Sequence, residues 1–81
     1  MLSAKQLESY ITTHLDCDYI QVTGDDGTHF EAVIVSPAFE GKRMIQQHQL
    51  VYAALGDRMK AEIHALSMKT YTPEKWAELI Q

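Results

Sequence analysis

Two β-rich runs separated by a helical segment are the feature that most constrains the fold. Residues 29–36 and residues 63–70 are rich in β-branched and other apolar side chains, whereas residues 42–55 repeat apolar side chains at helical spacing. A strand–helix–strand unit normally joins two parallel strands through a right-handed crossover. The sequence therefore predicts that both strands begin at the same edge of one sheet.

The N-terminal part of the chain adds a helix and a hairpin. A Ser-x-x-Gln capping-box pattern starts at Ser3, ahead of a predicted helix over residues 4–15. Residues 19–23 form a β-rich run. A Gly-Asp-Asp-Gly turn at residues 24–27 then predicts an antiparallel hairpin with residues 29–36.

The C-terminal part supplies a short closing helix. Thr72 followed by Pro73 is the N-cap and first-turn pair typical of a helix start. The predicted order is α-β-β-α-β-α, in a single small domain that spans residues 1–81. We expect an α/β (α+β) fold with a three-stranded mixed sheet and with the helices packed largely on one face.

Apolar side chains at periodic or element-end positions predict the core. In the second helix the predicted core face consists of Met44, Ile45, His48, Val51, Tyr52 and Leu55. Elsewhere the predicted core includes Phe30, Phe39, Met59, Met68 and Trp76. On this interpretation His48 is a packed structural residue rather than a ligand.

Charge and cysteine content limit the function classes. The formal net charge is −4 and the seven Lys and Arg residues are scattered, which disfavours binding to a phosphate backbone. The single cysteine, Cys17, cannot form an intramolecular disulfide and fits a reducing compartment. The chain shows neither a targeting pattern nor an apolar run of membrane-spanning length. We therefore expect a cytoplasmic protein with no membrane partner.

Two histidines open the predicted parallel strands. Neighbouring strands are about 4.8 Å apart, so the crossover alone could place His29 and His64 side by side. Imidazole nitrogens bind iron in Rieske centres, where two His replace two Cys on one iron. Two ligands cannot complete a cluster, so a partner would supply the others. The alternative is that His29 is an exposed loop residue and His64 a hydrogen-bonded edge histidine.

Four segments together resemble the BolA family in order and spacing. They are Phe-Glu-Gly-Lys at residues 39–42, Gln-His-Gln-Leu-Val at 47–51, Ile-His-Ala-Leu at 63–66, and Thr-Tyr-Thr-Pro-Glu-Lys-Trp at 70–76. The compact hairpin and the Thr-His-Phe of residues 28–30 look closer to the IbaG-like branch. The resemblance covers roughly residues 4 to 80 and implies a fold similar to the class II KH domain.

The resemblance also implies a role with monothiol glutaredoxins in binding and handing on a [2Fe-2S] cluster. The cluster would be shared with the glutaredoxin and glutathione, and the isolated chain, a monomer or weak homodimer, would hold none. In that family a His or Cys before the second strand and a His opening the third are ligands, and these positions match His29 and His64. We expect the partner-binding surface to include Lys69, Thr70, Tyr71, Thr72, Pro73 and Trp76.

Two other function classes are alternatives to this role. Some family members are described as DNA-binding regulators, and a KH-like nucleic-acid or transcriptional module linked to stress response would use Lys42, Arg43, Lys60 and Lys69. The G-x-x-G of such domains is lacking between helices, because the one match, residues 24–27, falls in a hairpin turn. For an enzyme, no Ser-His-Asp arrangement, phosphate loop or paired-carboxylate motif is apparent, so we predict no catalytic activity.

The remaining polar candidates have structural explanations. Cys17 lies between two aspartates, which disfavour the thiolate needed for catalysis or metal binding. Asp25 and Asp26 are residues that a tight turn uses. His14 ends the first helix, where a cation complements the helix dipole.

Overall fold

A computed structural model describes residues 2–24, 26–58 and 65–81 of the chain. The elements, in chain order, are α1 (Ala4–His14), β1 (Tyr19–Thr23), β2 (His29–Val35), a 3₁₀ turn (Pro37–Phe39), α2 (Met44–Leu55), β3 (Ala65–Tyr71) and α3 (Pro73–Leu79). The predicted small α+β fold is confirmed. The predicted start of the third strand, at residues 63 and 64, lies outside the described residues. Within the described parts of the chain, none of the helices combines the length and apolarity required to cross a membrane.

The sheet has the predicted mixed topology. Its strand order is β1-β2-β3, with β1 and β2 antiparallel and β2 and β3 parallel. In the parallel pair, His29 lies opposite Ala65, and Val35 lies opposite Tyr71. The described beginnings of β2 and β3 therefore lie at the same edge of the sheet.

The main core lies between one face of the sheet and the helices α1 and α2. Ser3 caps α1, because its Oγ accepts from the Gln6 N–H at 3.1 Å while Gln6 Oε1 accepts from the Ser3 N–H at 2.8 Å. Alternation along the strands directs every second side chain to this face. The buried cluster comprises Leu2, Leu7, Ile11, Leu15, Val22, Phe30, Ala32, Ile34, Phe39, Val51 and Leu55.

The predicted core face of α2 is partly wrong. Val51 and Leu55 are buried, as predicted, but the side chains of Met44 and Ile45 are 70% and 66% exposed and that of Tyr52 is 41% exposed. The buried side of the helix is rotated away from the residues with the most regular apolar spacing. Met44 and Tyr52 therefore do not belong to the core.

A half-buried amide lies on the side of α2 that faces the sheet. The Thr70 hydroxyl of β3 donates to Gln47 Oε1 at 2.7 Å, and Gln47 Nε2 donates to the Lys42 carbonyl at 2.9 Å. Leu50 and Ala54 pack against the core from the same side of the helix. A pattern of apolar residues alone does not include Gln47, so the predicted face of α2 omitted this residue and extended too far, to the exposed Met44, Ile45 and Tyr52.

A second, smaller cluster lies on the other face of the sheet. Tyr19 pairs with Val35, which pairs with Tyr71, so the three residues form one row across the strands. The Trp76 ring of α3 stacks on Tyr19 with centroids 5.1 Å apart and is tilted against Tyr71 at 5.5 Å. Val35 is fully buried although it does not belong to the main core, because the aromatic rings of this second cluster cover it. Thus α1 and α2 share one face as expected, whereas Trp76 of α3 packs on the other.

Ser36 connects three parts of the chain just after β2. Its side chain is fully buried, and its hydroxyl donates to the Asp16 carbonyl at 2.5 Å and accepts from the Ala38 N–H at 3.1 Å. Its backbone N–H donates to the Tyr71 carbonyl at 3.1 Å. One serine therefore fixes the approach to β1, the 3₁₀ turn and the end of β3 relative to each other.

Candidate functional site

His29 lies at the sheet edge where the parallel strands begin. It is the first residue of β2, and its side chain is 62% exposed. The residue opposite it is Ala65, whose backbone N–H donates to the Thr28 carbonyl at 3.0 Å. Ala65 follows His64 in the sequence. His64 itself lies outside the described residues.

The turn before His29 is organised by one carboxylate. Asp26 Oδ1 accepts from the backbone N–H of Thr28 at 2.9 Å and from that of His29 at 2.8 Å. Gly27, between them, has a φ of 78°, which favours glycine. Hydrogen bonds from the backbone of His29 and Thr28 and from the His29 ring hold the pKa of Asp26 well below its usual value. The predicted turn role of Asp26 is confirmed, whereas Asp25 lies outside the described residues.

Asp26 also contacts the imidazole ring of His29, which the sequence analysis missed. The distance from Asp26 Oδ2 to His29 Nδ1 is 2.8 Å, and the Thr28 hydroxyl oxygen lies 3.0 Å from the same nitrogen. The only available sequence signal is the spacing of three residues between an acid and a histidine across a turn. The contact restrains the ring of a side chain that is otherwise largely exposed.

Gly24 permits the close approach of the hairpin strands beside His29. A Cβ atom at this position would lie 2.7 Å from the His29 carbonyl oxygen and 2.7 Å from Phe30 Cδ1. Phe30 is buried in the main core, so its ring has little room to move. Glycine at residue 24 therefore helps to set the position of the His29 backbone.

The surface around His29 is open. His29 borders a depression that is also lined by Thr23, Glu31, Ala65 and Ser67. Thr23, Glu31 and Ser67 are exposed, and alternation along the strands places them on the face opposite α1 and α2. Small-molecule sites usually enclose most of their ligand, so an open surface of this kind is better suited to a macromolecular partner.

The predicted partner-binding segment has several structural roles. The Thr70 hydroxyl donates to the side chain of Gln47 in α2. Thr72 caps α3 by accepting from the Lys75 N–H at 3.2 Å. Tyr71 and Trp76 form the aromatic cluster, and Pro73 is the first residue of α3. Lys69, by contrast, is exposed. The role of this segment in binding a partner stays a prediction.

The basic residues of the nucleic-acid alternative do not form one described patch. Lys42 and Arg43 are exposed and directly precede α2. Lys69 is exposed in β3, and alternation directs it to the opposite face of the sheet. Lys60 lies outside the described residues.

Cys17 has the properties of an unreactive thiol. It is a free, half-buried cysteine whose Sγ donates to the Leu15 carbonyl at 3.4 Å. Burial raises its pKa to about 11, and the carboxylates of Asp16 and Asp18 add to the increase. Among residues 2–24, 26–58 and 65–81, no three His, Cys, Asp or Glu side chains are grouped so that they could hold a metal ion.

Comparisons with known proteins give consistent matches over most of the chain. The family model for BolA-like proteins matches residues 1–75. The Arabidopsis thaliana protein BOLA2 is 42% identical over 80 residues, which cover 94% of this chain and 85% of that protein. The solved structure of a bolA protein homologue from Coxiella burnetii has a TM-score of 0.84 at 42% identity and covers 95% of this chain and 99% of that one.

A further relative is named as a DNA-binding regulator. The DNA-binding transcriptional regulator BolA of Escherichia coli is 36% identical over 52 residues, which cover 64% of this chain and 50% of that protein. The match extends over only half of the regulator. The IbaG-like branch and the KH-like comparison stay predictions.

Proposed function

Because this chain belongs to the BolA-like protein family, we propose that it binds a [2Fe-2S] cluster together with a monothiol glutaredoxin and glutathione and hands the cluster on. In this proposal His29 and His64 are the ligands that the chain contributes. The chain acts as a binding protein rather than as an enzyme. The cluster is its cargo.

The observation that supports this proposal is the register of the parallel strands. His29 pairs with Ala65, the residue that follows His64 in the sequence, and both described strand starts lie at one sheet edge. A side chain at the start of a paired strand is positioned more firmly than a side chain on a loop. The open surface around His29 leaves room for a second protein to approach the imidazole.

The available donors suit a shared cluster. A neutral imidazole nitrogen is a good iron ligand, and two imidazoles on one iron occur in Rieske centres. The raised pKa of Cys17 disfavours its use as a thiolate. The thiolates that complete the coordination would therefore come from the glutaredoxin and glutathione.

The test is anaerobic assembly of the mixed complex. The chain, a monothiol glutaredoxin, glutathione, iron and sulfide are combined, and the cluster is followed by visible absorption and circular dichroism. We expect His29→Ala and His64→Ala each to change the spectrum or to weaken cluster retention about tenfold or more. Removing a residue that supports a metal ligand already weakens metal binding by about this factor, and removing the ligand itself should weaken it further. His14→Ala is the matched control, because His14 is an exposed histidine in the last turn of α1. Unchanged spectra and retention in both ligand variants would refute the ligand assignment.

The partner surface is tested separately by chemical-shift mapping with unlabelled glutaredoxin. We propose that residues 64–76 form much of this surface, with exposed Lys69 available for direct contact. Shifts confined to α1 and α2 would reject this surface. Trp76 fluorescence gives an independent signal of partner binding, because Trp76 lies at the end of this segment and its indole stacks on Tyr19 of β1.

A nucleic-acid role is the second candidate, supported by the name of the Escherichia coli relative. The net charge of −4 and the separation of Lys42 and Arg43 from Lys69 weigh against it. Titration of duplex DNA at increasing salt distinguishes the two candidates. Salt-dependent binding that is lost in Lys42→Ala would favour the regulator, whereas a cluster spectrum without DNA binding would favour the glutaredoxin partner.

A further inference from the structure

The two oxygens of the Asp26 carboxylate have different tasks. Oδ1 accepts from the backbone N–H groups of Thr28 and His29 at 2.9 and 2.8 Å, which shapes the turn. Oδ2 lies 2.8 Å from Nδ1 of the His29 ring. One carboxylate therefore holds both the main chain and the ring of the same histidine.

The contact with Oδ2 selects one tautomer of the His29 ring. An ionised carboxylate only accepts hydrogen bonds, so Nδ1 carries the proton in this contact. In a neutral imidazole the lone pair then lies on Nε2, the ring nitrogen turned away from Asp26. The Thr28 hydroxyl, 3.0 Å from Nδ1, can donate or accept and so makes no such selection.

Stability of the fold does not account for this contact. The side chains of His29 and Asp26 are 62% and 49% exposed, and exposed ion pairs stabilise proteins little. The backbone of the turn is held by the bonds to Oδ1, in which Oδ2 takes no part. Histidines that bind metals, by contrast, commonly donate their second N–H to a carboxylate, which fixes the tautomer and the ring orientation.

We propose that Asp26 is a positioning residue that keeps the His29 proton on Nδ1 and thereby presents Nε2 to iron. This inference rests on the proposed function, in which His29 is a ligand. Asp26 itself does not touch the cluster. Its effect on the ring exists in the isolated chain and can be measured there.

Asp26→Asn separates the two tasks. The asparagine oxygen keeps the two backbone bonds, and the amide NH₂ group replaces Oδ2 beside the ring. Turning the amide over would direct NH₂ at two N–H donors, so this orientation is disfavoured. The NH₂ group can only donate to Nδ1, and the ring proton is therefore expected on Nε2.

The first measurement uses the isolated chain and needs no cluster. Ring nitrogen shifts of His29 are recorded by ¹⁵N NMR at pH 8.5, where imidazole side chains are ordinarily neutral. The wild type should show mainly the Nδ1–H tautomer, and Asp26→Asn should show mainly the Nε2–H tautomer. Backbone amide shifts of β1 and β2 and the thermal midpoint should change little. An unchanged tautomer in Asp26→Asn would overturn the proposal.

The second measurement uses the mixed complex with glutaredoxin and glutathione. Asp26→Asn should weaken cluster retention about tenfold and change the visible circular dichroism, as the loss of an outer contact to a ligand does at other metal sites. The control is the same substitution made in a His29→Cys chain, because a thiolate ligand has no tautomer to select. In that chain, adding Asp26→Asn should not weaken cluster retention further.

The outcomes separate this inference from the proposed function. If His29→Ala alters the cluster but Asp26→Asn does not, the positioning role is wrong and the ligand assignment stands. If Asp26→Asn weakens the cluster equally in the His29→Cys background, its effect is structural and the positioning role is again wrong. If His29→Ala leaves the cluster unchanged, the ligand assignment fails and the positioning role fails with it.

Discussion

Replacing Gly24 by alanine tests the geometry that places His29 at the sheet edge. The added Cβ would lie 2.7 Å from both the His29 carbonyl oxygen and Phe30 Cδ1. Nonbonded carbon atoms ordinarily stay about 3.5 Å or more apart, so the Phe30 contact must open by roughly 0.8 Å. Neither neighbour moves easily, because Phe30 is buried and the His29 backbone is bonded to Asp26.

Two opposing effects determine the size of the change in stability. Overpacking of this kind costs about 1–3 kcal/mol in the free energy of unfolding. The smaller conformational freedom of alanine in the unfolded chain returns about 0.4–1 kcal/mol. Steric overlap therefore dominates, with a net loss of about 1–2 kcal/mol. At about 4–8 °C per kcal/mol for a domain of this size, the thermal midpoint should fall by roughly 4–16 °C.

The assay combines thermal unfolding of the isolated chain with backbone amide NMR. Gly41→Ala is the control, because a Cβ there meets no atom within 4 Å although its φ of +75° disfavours alanine. Both variants should lose stability, but only Gly24→Ala should shift the amides of His29 and Phe30. A Gly24→Ala protein as stable as the wild type, or with unmoved hairpin amides, would refute the reasoning.

Two further predictions concern the buried hydroxyl of Ser36 and the half-buried thiol of Cys17. Ser36→Ala removes the hydrogen bonds of the buried hydroxyl to Asp16 and Ala38, so the free energy of unfolding measured in urea should fall by about 1–3 kcal/mol. Ser67→Ala is the control and should change this free energy little, because Ser67 is exposed. Equal urea midpoints for the two variants would contradict the prediction. Because the pKa of Cys17 is raised from 9.0 to about 11, its thiolate at pH 8 should be roughly 100-fold rarer in the folded chain, partly offset by greater nucleophilicity. Iodoacetamide should then alkylate the folded chain about tenfold more slowly than the unfolded chain, and equal rates would argue against a shielded thiol.

The elements and their topology were predictable because their signals are local. A Ser-x-x-Gln cap, a glycine-containing turn and a Thr-Pro helix start act through neighbouring residues. The parallel direction of β2 and β3 follows from the crossover helix, which returns the chain to the edge of the sheet where β2 began. The orientation of α2 was only partly predictable from apolar spacing, which named the buried Val51 and Leu55 but also the exposed Met44, Ile45 and Tyr52. The packing of α2 includes a bond between Gln47 and Thr70, which are distant in sequence and meet only after the helix has packed on the sheet.

The sequence by itself determined the family resemblance, the strand–helix–strand unit and the location of His29 at the start of a strand, because these follow from short patterns and from chain connectivity. Only the tertiary structure decided that Trp76 covers Tyr19 on the face opposite α1 and α2. It also decided that Asp26 holds the His29 ring as well as the turn, since residue spacing gives a distance along the chain but not the direction of a side chain. Hydrogen bonds of 2.8 Å depend on that direction, and it is set by the folded hairpin.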